Sequence, residues 1–134
     1  MRLVFADAFY FLAVINPDDA YHREAMAYSE ANKRPLLTTD WVLAEVADAF
    51  AKTPHRGLAR QLYFDLRDHL IDVVVPSSRE LFEQGFELYH SRPDKGWSLT
   101  DCISFEVMRE HGVTEALTGD RHFAQAGFTP LFAS

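Results

Sequence analysis

The chain has a single cysteine, Cys102. That excludes an internal disulfide and fits a reducing compartment. Positive charge is also scarce: 13 Lys and Arg against 20 Asp and Glu give a net charge of −7. Proteins that grip nucleic acid through its phosphates usually present a basic surface. The global balance therefore argues against non-specific nucleic-acid binding by this chain alone. A local basic patch, or a site that reaches phosphates through metal ions, stays compatible with it. No apolar run approaches the ~20 residues that a membrane span requires. The stretch at residues 3–15 is too short, carries Asp7 in its middle, and is followed by Asn16-Pro17-Asp18-Asp19 instead of a small-x-small cleavage site. The expectation is a cytoplasmic protein with no membrane partner, whose chain starts directly in its fold. No internal repeat, low-complexity tract or linker is visible.

What is present is the material of one core. With 134 residues, 48% of them apolar and 25% charged, the composition is that of an ordinary soluble domain, read as a single domain over residues 1–134. Apolar and polar segments alternate in a strand–helix rhythm. Residues 2–6 read as a buried strand and residues 7–15 as the start of a helix, with Asp7 at the joint. Asp18 or Asp19 is placed to cap a polar helix through about Asn32, ended by Pro35. Residues 36–38 form a short strand. "TTDWVLAEVADAFAK" is amphipathic, with Val42, Val46, Ala49 and Phe50 on one face, and Pro54 breaks it. Residues 55–70 are a further helix, and residues 71–75 the clearest strand.

Ser77 or Ser78 caps a helix through about Ser91, in which Leu81, Phe82, Phe86 and Tyr89 are the apolar positions. After the loop "RPDKGW", "SLTDCISFEVMREHG" is a helix with Ser98 as its N-cap and Gly112 as its stop. "EALTG" is a strand, residues 120–126 a short helix, and residues 130–132 a last strand. Strands separated by helices imply a parallel sheet with crossover helices on both faces. The predicted fold is α/β: a three-layer α/β/α sandwich around a central, mostly parallel sheet.

In such sheets ligands bind beyond the carboxyl ends of the strands. Asp7 directly follows the first strand, and Asp120 follows "EALT", so both are expected at one rim. Glu45 in "WVLAEVADAF" and Asp101 in "WSLTDCISF" lie near helix starts that could face the same rim. Carboxylates that converge repel one another, and their titrations become coupled. Divalent cations relieve that repulsion, and carboxylate ligands suit Mg²⁺ or Mn²⁺. No Cys/His set has zinc spacing. Two such ions can activate water and stabilise a leaving oxygen in phosphodiester cleavage. Each acid also has a plainer reading. Asp7 and Asp120 could be helix caps, Asp101 completes a Ser98-x-x-Asp101 capping box, and Glu45 could lie along the surface with its head in water.

At these residues the chain resembles the PIN domain, and in particular the VapC-type toxins of prokaryotic toxin–antitoxin pairs. The resemblance spans nearly the whole chain, through "FADAFYFLAVINPDDAYHREA", "LLTTDWVLAEVADAF" and "DKGWSLTDCISFEVMREHGVTEALTGDRHFAQAGF" in that order. It implies a metal-dependent endoribonuclease, with Asp7, Glu45, Asp101 and Asp120 holding Mg²⁺ or Mn²⁺ and RNA as substrate. Thr100 and Thr118 match the hydroxyl residues that often accompany the last two acids. A small antitoxin protein and a homodimer are the implied partners. The chain departs from the family pattern after Asp7, where Ala8 and Phe9 stand in place of Ser, Thr or Asn. Either the first carboxylate lacks a supporting hydroxyl or Thr118 supplies it.

Other residues have two readings. Arg56, Arg60 and Arg67 share a helix face and could track a phosphate backbone, although salt bridges to Asp65 or Asp68 are the favoured reading. Lys95 and Arg121 could reach a phosphate at the cleft rim or simply be solvated. His22 and His122 are expected in packing or surface roles, Cys102 as a buried small hydrophobe, and Trp97 in the core. Two functions from different classes follow: a metal-dependent ribonuclease, or a PIN-like module that has lost activity and holds RNA or a protein partner. A receiver-like phospho-acceptor domain would share the fold class and the first acid. It would need a lysine after the last strand, and "PLFAS" offers none.

Overall fold

A computed structural model describes residues 2–132. Five strands form one sheet: β1 (Val4–Ala6), β2 (Leu36–Thr39), β3 (Val73–Val75), β4 (Glu115–Leu117) and β5 (Thr129–Pro130). Their order across the sheet is β3-β2-β1-β4-β5, and every pairing is parallel. Seven helices connect them: α1 (Ala8–Ile15), α2 (His22–Ala31), α3 (Asp40–Ala49), α4 (Arg56–Asp68), α5 (Arg79–Ser91), α6 (Leu99–Glu110) and α7 (Arg121–Gln125). The predicted α/β class is observed, with a sheet that is wholly parallel. From β1 the chain builds outward through β2 to β3, then returns to the other side of β1 for β4 and β5. The strand order therefore reverses between β1 and β4, which is where a crevice opens at the carboxyl edge.

The centre of the sheet is fully apolar. Val4, Phe5 and Ala6 of β1 and Ala116 and Leu117 of β4 have no solvent exposure. This is the continuous apolar run that a strand covered on both faces requires. Phe5, Phe105 and Phe123 cluster beneath β4, with ring centroids 6.1 and 5.0 Å apart. Helix α6 is the buried helix: Cys102, Ile103, Phe105, Val107 and Met108 are all inaccessible. It packs tightly on α5, where a Cβ at Gly85 would collide with the Ile103 side chain. Helix α6 ends as expected at Gly112, with φ of +65°. Val113 N–H donates to Met108 O (2.9 Å) and Gly112 N–H to Arg109 O (3.2 Å), a Schellman closure.

Several expectations are corrected. Helix α2 starts at His22 with Tyr21 at its N-cap, not at Asp18 or Asp19. Asn16 and Asp19 side chains instead accept from Asp18 and Tyr21 N–H, building a turn ahead of the helix. The strand expected at 71–75 is shortened to Val73–Val75 on a half-buried edge, and Ile71 is 51% exposed. The last strand covers Thr129–Pro130, not 130–132. In α3, Ala49 is exposed, and Leu43 takes its place beside Val42, Val46 and Phe50 in the core. The apolar positions of α5 divide: Leu81 is buried, whereas Phe82, Phe86 and Tyr89 face solvent.

Candidate functional site

The register of the sheet decides the first contact. Ala6 pairs with Leu117, so the next residues along each strand, Asp7 and Thr118, leave the sheet side by side. Thr118 Oγ1 donates to Asp7 Oδ2 at 2.9 Å, and Asp120 N–H donates to Thr118 Oγ1 at 3.1 Å. One hydroxyl thus ties the carboxylate after β1 to the turn after β4. Asp7 occupies the N-cap position of α1, yet its side chain makes no capping bond. Its role as a plain cap is excluded by that geometry. The missing hydroxyl at positions 8 and 9 is supplied by Thr118. Phe9 lies against Gly119, where a Cβ would come within 2.7 Å of its ring. Glycine at 119 is what lets this bulky residue follow Asp7.

Asp7 is only 7% exposed. Burial, and to a lesser degree the charges of Glu45 and Asp101, push its carboxyl up to about pKa 7 against the pull of the Thr118 hydrogen bond. Asp101 is raised mainly by burial, with Asp120 adding to it, while Ser98 N–H and His122 oppose the shift. Glu45, on α3, is exposed as a residue. Its carboxyl end is nonetheless partly desolvated, and that, with the charges of Asp101 and Asp120, raises its pKa. The sequence placed Glu45 among apolar neighbours; on the helix it points away from them, toward the other acids. All three shifts have the same cause: buried carboxylates brought close together with too little positive charge.

Asp101 does two things at once. It completes the capping box of α6, accepting from Ser98 N–H at 3.2 Å while Ser98 Oγ accepts from Asp101 N–H at 3.0 Å. Its Oδ2 also lies 3.1 Å from His122 Nδ1. Asp120 caps α7, accepting from His122 N–H at 2.9 Å, and its Oδ1 is 3.5 Å from His122 Nδ1. Asp101, Asp120 and His122 each offer one donor atom within 4.8 Å of the others. His122, expected to pack or face solvent, is therefore part of the site. The sequence signal was its position two residues after Asp120, within the first turn of α7. Buried carboxylates short of cationic partners, with oxygen and nitrogen donors converging, fit a divalent cation.

The remaining expectations sort by position. Thr100 is half-buried, and its hydroxyl makes no hydrogen bond to the cluster among the described residues. Lys95 and Arg121 have no ion-pair partner among the described residues. The Lys95 loop is held by Arg92, which forms a two-pronged bond to Asp94 (2.9 Å each) and lies over Trp97. Trp97 is core and donates to Gln125 of α7. Gly96, beside Lys95, abuts His122 Nε2, so this loop borders the acidic cluster. On α4, Arg60 and Arg67 stack on the ring of Phe64, and Arg67 pairs with Asp68, in line with the structural reading. His22 Nδ1 bonds Ala13 O. Cys102 is buried, its thiol pushed up to about pKa 11 by desolvation, which rules out a thiolate nucleophile at neutral pH.

Comparison with known proteins follows the same outline. The PIN domain family profile matches residues 4–129. The 23S rRNA-specific endonuclease VapC20 of Mycobacterium tuberculosis is 27% identical over 130 residues, covering 96% of this chain and 98% of its own length. The crystal structure of that VapC20, described as a Sarcin-Ricin loop cleaving toxin, superposes with a TM-score of 0.85 at 24% identity over 96% of this chain and 98% of the other. FitAcB from Neisseria gonorrhoeae superposes at 0.63 and 14% identity, over 95% of each chain. VapBC2 from Rickettsia felis, solved with a DNA fragment from its promoter, gives 0.63 and 12%, over 96% of each.

Proposed function

This chain belongs to the PIN domain family, and from that premise we propose that it is a metal-dependent endoribonuclease and the toxin of a toxin–antitoxin pair. Asp7, Glu45, Asp101 and Asp120 are its working carboxylates, and one or two Mg²⁺ or Mn²⁺ ions its cofactor. The observation that carries the reading is the Asp7–Thr118–Asp120 chain of hydrogen bonds at the point where the strand order reverses. It brings together acids that lie 113 positions apart in sequence and leaves their charge unbalanced. RNA as substrate is supported by the name and near full-length match of VapC20.

A divalent cation, when bound, supplies the positive charge and Lewis acidity that phosphodiester hydrolysis requires. The chain's own residues prepare for it. Thr118 fixes one oxygen of Asp7. The capping box holds Asp101 on the first turn of α6, and Asp120 is held by the turn ahead of α7. These groups are preorganised on helix starts and strand ends rather than on mobile side chains, which is where precision in a catalytic site comes from. Without positive charge, such a cleft would repel a phosphodiester. Lys95 and Arg121, which flank the acidic cluster in sequence, are the proposed contacts to phosphates beside the scissile bond.

The antitoxin and homodimer partners are supported by exposed apolar surface. Phe82, Phe86 and Tyr89 stand 40, 44 and 49% exposed along α5, their rings in edge-on contact with one another. A groove of about 660 Å³ lies between Phe82, Phe86 and Trp41. No helix among the described residues is long and apolar enough to cross a membrane. The test is cleavage of RNA with Mg²⁺ or Mn²⁺ supplied. Wild type should cut, and Asp7→Asn should be inactive with the fold intact. Undiminished cleavage by that variant would end the assignment. A wild type that binds RNA and metal without cutting would establish the inactive module instead.

A further inference from the structure

We propose that His122 Nδ1 is itself a ligand of the divalent cation, beside one carboxylate oxygen each from Asp101 and Asp120. The inference rests on the metal-cleft reading above and extends it to a nitrogen donor that the four acids do not provide. Nδ1 lies 3.1 Å from Asp101 Oδ2 and 3.5 Å from Asp120 Oδ1. Neighbouring ligands at right angles around an ion with bonds of about 2.1–2.2 Å sit about 3 Å apart. Nδ1 thus stands at close to that spacing from each carboxylate oxygen, and all three donor atoms lie within 4.8 Å of one another.

They are also fixed from independent directions. Asp101 is held by Ser98 through the capping box of α6. Asp120 and His122 are locked together by the His122 N–H to Asp120 Oδ1 bond at the start of α7. Two elements separated by β4 thus aim at one point. The side chains are 14% (Asp101), 34% (Asp120) and 26% (His122) exposed, which leaves room for water to complete the shell. Beside them Asp7 lies buried with Thr118 as its only side-chain donor among the described residues. That is a second, separate carboxylate awaiting positive charge. Ligation requires the imidazole proton on Nε2, which lies beside Gly96 at the Lys95 loop, where a Cβ would stand 4.0 Å from it.

A mixed nitrogen and oxygen set favours Mn²⁺ over Mg²⁺, because Mg²⁺ prefers oxygen and imidazole suits later metals. The competing role is purely positional, with Nδ1–H donating to Asp101 Oδ2 and the metal seeing oxygen alone. Pulsed electron spin-echo spectroscopy of Mn²⁺ added to the full chain separates the two. Expected is nitrogen modulation from bound Mn²⁺ in wild type, altered by ¹⁵N-histidine labelling and lost in His122→Asn. Mn²⁺ affinity in that variant should fall about tenfold or more, with a smaller loss for Mg²⁺. Bound Mn²⁺ without nitrogen modulation in wild type, or modulation that persists in His122→Asn, overturns the ligand assignment while leaving the metal cleft intact. No Mn²⁺ binding at all overturns the cleft and the ligand together. The wild-type spectrum is decisive even if the variant folds poorly.

Discussion

Asp7 and Thr118 are 111 residues apart in sequence and 2.9 Å apart in space. Their bond is the smallest unit of the proposed site. Asp7 titrates near 7 in the fold against a usual value of 3.8, so between about pH 4 and 7 the folded state holds a proton that the unfolded state has released. Its contribution to stability is fully present below pH 4 and is lost as pH rises through 7, on the order of 4 kcal/mol across that window. Glu45 and Asp101 shift in the same direction. Urea titrations in chelator should show wild type losing stability from pH 5 to pH 8. Asp7→Asn, with no proton to lose, should be close to wild type near pH 4 and clearly more stable at pH 8. A flat wild-type profile would contradict the buried acid. Thr118→Val strips Asp7 Oδ2 and Asp120 N–H of their shared partner, and should cost about 2 kcal/mol and raise the Asp7 pKa further, as read by carbonyl NMR titration. Asp101 was open to two readings, cap or metal acid, and the structure shows the first without excluding the second. The two are compatible because a carboxylate has four lone-pair sites. His122 was not legible because nothing in "GDRHF" says which way an imidazole turns.

At the scale of elements, the helices were more legible than the strands. Ser98 and Gly112 mark their helix ends as expected, and of the two candidates Ser77 and Ser78 it is Ser78 that caps α5, because caps are local chemistry. Boundaries at α2 and β3 were misread for opposite reasons. Asp18 and Asp19 are good caps in isolation but serve a turn here. Ile71 is β-branched and apolar yet lies beyond the edge where β2 can pair with it. Helix α5 shows most clearly what tertiary contact adds. Its buried stripe runs through Leu81 and Gly85, and glycine is required at 85 by the Ile103 side chain. Gly85→Ala should destabilise by about 1–3 kcal/mol in chemical denaturation, despite alanine being the better helix former. The adjoining stripe, Phe82, Phe86 and Tyr89, is left exposed among the described residues. If it is the homodimer seam, wild type should sediment as a dimer and Phe86→Glu as a monomer. A monomeric wild type would leave that face to another partner.

Across the whole molecule, the order β3-β2-β1-β4-β5 places the reversal between the two strands that carry Asp7 and Asp120. At that reversal three carboxyls, those of Asp7, Glu45 and Asp101, resist ionising. Metal binding and folding are therefore linked. A cation that binds the folded state alone stabilises it by mass action, and it must displace the protons these carboxyls retain. Mn²⁺ should raise the melting temperature more at pH 8 than at pH 6. Binding heats measured in buffers of different ionisation enthalpy should report proton release near pH 7. Equal shifts at both pH values would mean that the raised carboxyls do not bind the ion.

The sequence by itself determined the alternation of strands and helices, the parallel sheet and the positions of Asp7 and Asp120 at strand ends. These follow from periodicity, capping chemistry and the rule that parallel strands need crossovers, all of which are written in neighbouring residues. Only the tertiary structure decided that Thr118 replaces the hydroxyl missing beside Asp7, that Glu45 turns toward the acids, that His122 joins them, and that one stripe of α5 is left uncovered. Each of those depends on which face of one element meets another. That is fixed by sheet register and close packing between residues far apart in the chain, and no local pattern contains it.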